Sequence, residues 1–81
     1  MLPRFIITVR ASKLSKRLSN NIRRLRFEAG EMSQQTLASK VNVTRQTIIA
    51  IEKDKYSPSL EVAFKISNIF GEPLESVFNY E

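Results

Sequence analysis

The chain predicts an all-α domain of five short helices behind a basic N-terminal extension. Three observations predict it. Hydroxyl residues sit just ahead of apolar stripes with three- and four-residue spacing, Gly and Pro punctuate the gaps, and the two central helices are separated by only a four-residue turn. Its 81 residues are enough for one small domain. The expected division is a basic extension over 1–19 and a helical domain over 20–81.

The first helix is expected from Ser19 or Asn20 to Ala29, with Ile22 and Leu25 turned inward and Gly30 as its left-handed stop. Ser33 caps a second helix whose buried side is Leu37 and Ala38, with Val41 at its exit. Thr44 caps a third, with Ile48 and Ile51 buried. Between them, Val41-Asn42-Val43-Thr44 places two valines where they can wedge the helices apart at a fixed angle. Pro58 ends the loop that follows, and Ser59 caps a fourth helix from Leu60 to Phe70 with Glu61 in its first turn. Gly71-Glu72-Pro73 breaks that helix, and a last short one carries Leu74, Val77 and Phe78. The expected core also takes Val43, Leu60, Ala63, Ile66, Ile69, Phe70 and Leu74, while Phe27 and Phe64 are left between core and surface.

Composition narrows the chemistry. There is no Cys and no His, which removes thiol chemistry, imidazole acid–base catalysis and the usual zinc ligand sets. No nucleophile–base pair or glycine-rich phosphate loop is present, so neither an enzyme nor a cofactor or metal is expected. No apolar run approaches the ~20 residues that span a bilayer, and a cytoplasmic protein is the default expectation. The net charge of +5 is unevenly placed. No acid precedes Phe27, whereas Arg4, Arg10, Lys13, Lys16, Arg17, Arg23, Arg24 and Arg26 do. From Phe27 onward five bases meet all eight acids, so the domain body is mildly acidic. Four of those five bases, Lys40, Arg45, Lys53 and Lys55, flank the two central helices.

Those central helices have the layout of a helix-turn-helix, in which the second helix enters the major groove by its N-terminal turn. Arg45 and Gln46 would open that turn. Arg suits guanine O6/N7 and Gln suits adenine N6/N7, so these two are the candidate base readers. Thr47 can touch a thymine methyl or a phosphate, Ala50 can approach a thymine methyl, and Thr44 can meet a phosphate. Set against this, both Arg45 and Gln46 could be no more than solvated polar positions.

The stretch from about Asn20 to Tyr80 resembles the Cro/C1-type (Xre-family) helix-turn-helix domain of phage repressors and small bacterial or archaeal regulators. The resemblance is carried by IRRLR (Ile22 to Arg26), MSQQTLASKVNVTRQTIIAIEKDKYSPSLEVAFKISNIFG (Met32 to Gly71) and LESVF (Leu74 to Phe78). It implies a five-helix, lambda-repressor-like fold and a transcriptional regulator binding double-stranded DNA as a homodimer on a near-palindromic site. It further implies that Gln34 holds a backbone phosphate, that Lys53 and Lys55 form a second phosphate clamp with Ser57 adding a hydroxyl, and that Arg26 pairs with Glu52 beneath the DNA-facing side. Two departures stand out. Glu31 looks like a one-residue insertion, and Asp54 occupies a place where the family usually has Gly.

Antitoxins and anti-repressors reuse this fold to hold a protein partner, and that is the alternative reading. Such a derivative should have lost Arg45, Gln46 and Gln34 to apolar or acidic residues. Val77, Phe78 and Tyr80 crowd the C-terminus and are the expected dimer contact, unless they fold back on their own core. The first nineteen residues match nothing in the family. Their Phe5-Ile6-Ile7-Thr8-Val9 run and five bases permit a phosphate-following arm, a strand that pairs with a second copy, or an extension without a role.

Overall fold

The computed structural model describes residues 17–81; the Phe5–Val9 run and the rest of the basic extension before Arg17 lie outside them. Five helices and one small sheet follow in order: β1 (Leu18–Asn20), α1 (Ile22–Glu28), α2 (Gln34–Val41), α3 (Arg45–Glu52), α4 (Leu60–Phe70), α5 (Leu74–Val77) and β2 (Phe78–Tyr80). Helices α2 and α3 pack together through the short turn, and α4 packs across α2.

Three helices start on the hydroxyls that local chemistry favours. The side chains of Ser33, Thr44 and Ser59 each accept a bond from the backbone N–H three residues on, at Thr36, Thr47 and Val62. Each cap satisfies an amide that has no intrahelical carbonyl to meet. Asn42 closes α2 in the left-handed conformation with φ 63°, a geometry its short amide tolerates. Gly71 does the same for α4. One continuous core results, centred on Ile22, Leu37, Val41, Ile48, Ile51, Ile66 and Val77, all essentially without solvent contact. Each such aliphatic side chain stabilises the fold by about 1.5–3 kcal/mol relative to exposure.

The two ends of the domain differ from expectation. The first helix begins at Ile22, because Ser19 and Asn20 are strand residues. They pair antiparallel with β2, Ser19 opposite Asn79 and Asn20 opposite Phe78. Arg17 and Glu81 extend the ladder by two further backbone bonds of 2.7 and 3.1 Å. Phe78 therefore leaves the last helix, turning to an extended φ of −119° to enter this pairing. Leu60 and Ile69, expected in the core, are exposed (Leu60 at 67%); among the described residues Phe27 and Phe64 are exposed as well. A helix with apolar residues over most of its circumference cannot bury all of them against α2 and the short α5, the helices packed on it. Ser67 takes an inward place instead, its hydroxyl donating to the Ala63 carbonyl at 3.1 Å.

Glu31 adopts φ 59° directly after Gly30 at φ 82°. The turn thus takes two successive left-handed steps and returns with Met32 N–H donating to the Arg26 carbonyl at 2.8 Å.

Candidate nucleic-acid interface

Helix α3 presents its opening turn to solvent. Arg45 and Gln46 are exposed, and neither makes a side-chain hydrogen bond or ion pair among the described residues. Thr44 is committed to its cap, and its hydroxyl also meets that of Thr47 at 3.0 Å. Thr47 and Ala50 are half-buried. The turn therefore offers two long, unengaged polar side chains above a short, internally tied pair.

The far end of α3 is the reverse. Arg26 donates through Nε to Glu52 Oε2 at 2.6 Å and through Nη2 to Oε1 at 3.1 Å, and its Nη1 reaches the Met32 carbonyl at 2.8 Å. Their side chains are only 14% and 8% exposed. Gln34 joins them, its Nε2 donating to Glu52 Oε1 at 3.1 Å. One carboxylate thus ties α1, α2 and α3 together. Removing one partner of so enclosed a pair strands the other, which costs more than the intact pair contributes. An amide has two N–H donors and a carbonyl, so Gln34 keeps one donor and its acceptor for something else.

Asn20 completes the support from the other side. Its Nδ2 donates to the Ile51 carbonyl at 2.8 Å and to Asp54 Oδ1 at 3.1 Å, while its Oδ1 accepts from the Ile22 N–H at 3.0 Å. The second of these bonds holds Asp54, which sits at φ 60° where a glycine would be at ease. Asn20 was not singled out from the sequence. Its one signal is an Asn near the expected start of the first helix, which carries no hint of the loop 34 residues away.

Between α1, α2 and α3 lies an open cleft whose walls include Arg23, Gln34, Gln35, Arg45, Glu52 and Lys53. The structure brings Gln34, Arg45 and Lys53 together there. It does not bring Lys55 or Ser57: both are exposed on the next loop, and Ser57 borders a small recess with Leu18, Asn20 and Phe78. Lys40 is exposed at the last turn of α2. Of the C-terminal cluster, Val77 has no solvent contact, Phe78 is half-buried against the core, and Tyr80 is 55% exposed. Val77, expected at a dimer contact, is instead enclosed by its own chain, and the Asn21 N–H holds its carbonyl at 2.8 Å.

Two capped helices packed together across a short turn, with a polar turn raised above a fixed base, define a helix-turn-helix protein. A helix-turn-helix family model matches residues 22–77, and the chain belongs to that Cro/C1-type family of transcriptional regulators. It is 58% identical over 50 residues to an uncharacterized HTH-type transcriptional regulator of Methanocaldococcus jannaschii, covering 62% of this chain and 76% of that one. It is 46% identical over 61 residues to the uncharacterized HTH-type transcriptional regulator YgzD of Bacillus subtilis, covering 75% and 91%. With the cryptic phage CTXphi transcriptional repressor RstR of Vibrio cholerae the identity is 36% over 56 residues, covering 69% and 50%. Among the described residues no helix is long and apolar enough to cross a membrane.

Proposed function

We propose that this chain is a sequence-specific repressor of transcription, acting in the cytoplasm as a homodimer on a near-palindromic double-stranded operator, with no catalytic step. The observation that carries the reading is the first turn of α3, where Arg45 and Gln46 stand exposed and unengaged on a helix held firmly at its other end. Arg45 and Gln46 read base edges, with Thr47 and Ala50 against thymine methyls. Gln34 and Lys53 meet phosphates at the cleft, Thr44 does so at the start of α3, and Lys55 and Ser57 from the loop beyond. The name of the phage repressor RstR favours repression over activation. Selection of bound duplexes from a random pool at fixed salt is the test. Two mirrored half-sites about one helical turn apart are expected. A pool without enrichment would sink the reading.

The dimer reading draws on a second surface. Leu60, Phe64 and Tyr80 are exposed, and Leu60 borders an apolar groove with Leu18, Pro58, Ala63, Leu74 and Phe78 that shares no residue with the basic cleft. A second copy seated there leaves both clefts free, and Phe78 and Tyr80 supply part of the contact. Because Val77 and β2 belong to the monomer's own fold, truncating the C-terminus would unfold the chain rather than separate the copies. Leu60→Glu is the sharper probe. It should shift sedimentation from dimer to monomer while the chain stays folded and its unfolding midpoint loses its dependence on protein concentration, and an unchanged dimer would place the interface elsewhere.

A further inference from the structure

Helix α1 carries three arginines, and two of them are engaged within the protein. Arg24 pairs with Glu28 one turn on, at 3.1 Å, and Arg26 is held by Glu52 at 2.6 Å. Arg23 makes no hydrogen bond or ion pair among the described residues. It lies three residues before Arg26, so the two project from the same side of the helix. That side faces the cleft, which Arg23 lines together with Gln34, Arg45 and Lys53. The one acid in the cleft wall, Glu52, is already matched by Arg26 and Gln34. Three cations, Arg23 from α1 and Arg45 and Lys53 from the two ends of α3, therefore share one concave surface with no acid in its wall left to balance them. Like charges gathered this way repel, and a polyanion entering the cleft relieves the repulsion.

We propose that Arg23 is a phosphate clamp. It contacts the duplex backbone beside the recognition helix and sets register without reading sequence. The guanidinium fork suits this, because it can present two N–H donors at once to phosphate oxygens. The proposal rests on the DNA-binding reading above and adds a contact from α1, outside the helix-turn-helix. On this geometry the duplex backbone is gripped from both flanks of the cleft, by Arg23 on one wall and Lys53 on the other.

The test compares the unmodified chain with Arg23→Gln, Arg23→Lys and Arg24→Gln on two labelled duplexes, one of mixed sequence and one carrying the selected site, across a salt series. Arg23→Gln should weaken both duplexes by the same factor and reduce the salt slope by about 0.9, the release of one phosphate's counterion. Arg23→Lys should keep the slope, since the charge is kept. Arg24→Gln removes the same formal charge from the same helix and should leave the slope close to that of the unmodified chain. Arg23→Gln should also melt like the unmodified chain, because the side chain it removes has no internal partner. An unaltered slope in Arg23→Gln, with the unmodified chain binding normally, would overturn the clamp and leave the DNA reading standing. A loss confined to the selected site would make Arg23 a base reader and equally overturn the clamp. If the unmodified chain bound neither duplex, the DNA reading would fall, and the clamp with it.

Discussion

The two ends of α3 are built on opposite plans. At its C-terminal end nearly every polar group is spoken for: Glu52 accepts from Arg26 and Gln34, the Ile51 carbonyl accepts from Asn20, and Asp54 accepts from the same amide. At its N-terminal end Arg45 and Gln46 engage nothing among the described residues. The comparison separates two tasks that one eight-residue helix must perform. A reader must be free at the tip, because a side chain satisfied internally has little to gain from a base edge. It must also be rigid at the root, because a base contact made by a tilting helix loses its geometry. Polar residues serve both tasks, and only their partners tell them apart.

The largest effect expected from breaking this division is at the root. Glu52→Ala should lower stability by about 3 kcal/mol, since it leaves the Arg26 guanidinium enclosed without its carboxylate. Glu61→Ala, which removes an exposed partner of Lys65, should cost no more than about 0.5 kcal/mol. Chemical denaturation of the two variants checks this, and equal midpoints would mean that the root is not held by the ion pair.

At the tip the sign of the separation reverses. Arg45→Ala should leave the unfolding midpoint unchanged and cost about 1–3 kcal/mol of specific binding, with relaxed preference at one position of each half-site. Gln46→Ala should act likewise at a neighbouring position. A selected-sequence profile untouched by either substitution would remove both from the reading face.

Asn20→Ala sharpens the comparison from the opposite side of the helix. It leaves the Ile51 carbonyl only its bond from the Asp54 N–H, releases the Asp54 side chain and uncaps the Ile22 N–H, and should cost about 1–2 kcal/mol of stability. Amide exchange should quicken in the last turn of α3 more than in its first. Uniform exchange along the helix would show that the bonds of Asn20 do not act on that end in particular.

The smallest effect is a gain. Glu31→Gly relieves a left-handed non-glycine residue in the turn that returns the chain toward Met32, and should stabilise by up to about 1 kcal/mol, offset in part by the greater freedom of glycine in the unfolded chain. A thermal melt measures it. A loss of stability would mean that the Glu31 side chain contributes more than its backbone costs.

Much of the scaffold was legible because its signals are local. A hydroxyl three residues before a free amide is a cap wherever it occurs, and apolar residues at three- and four-residue spacing define one side of a helix without reference to anything distant. Helix α4, Leu60 to Phe70, could therefore be bounded to the residue by Ser59 and Gly71. The pairing of Arg26 with Glu52 was suggested by resemblance. Resemblance points the third member, Gln34, outward to a phosphate, and nothing in its sequence neighbourhood indicates that its amide also turns toward Glu52.

Sequence alone determined the order of the helices, the caps of α2, α3 and α4 and the most apolar part of the core, since each depends on residues within a turn or two of one another. Tertiary structure decided the rest. The ladder joining Leu18–Asn20 to Phe78–Tyr80 brings together segments from opposite ends of the described chain, each only three residues long, too short for an alternation to show. The exposure of Leu60 and Ile69 depended on which side of α4 found a neighbour, and helical spacing marks an apolar stripe without saying how wide a surface waits to cover it. The difference between the tied Asn20 and the unengaged Arg23 was likewise invisible in a string of polar residues, because a side chain's role is set by the partner that folding brings within reach.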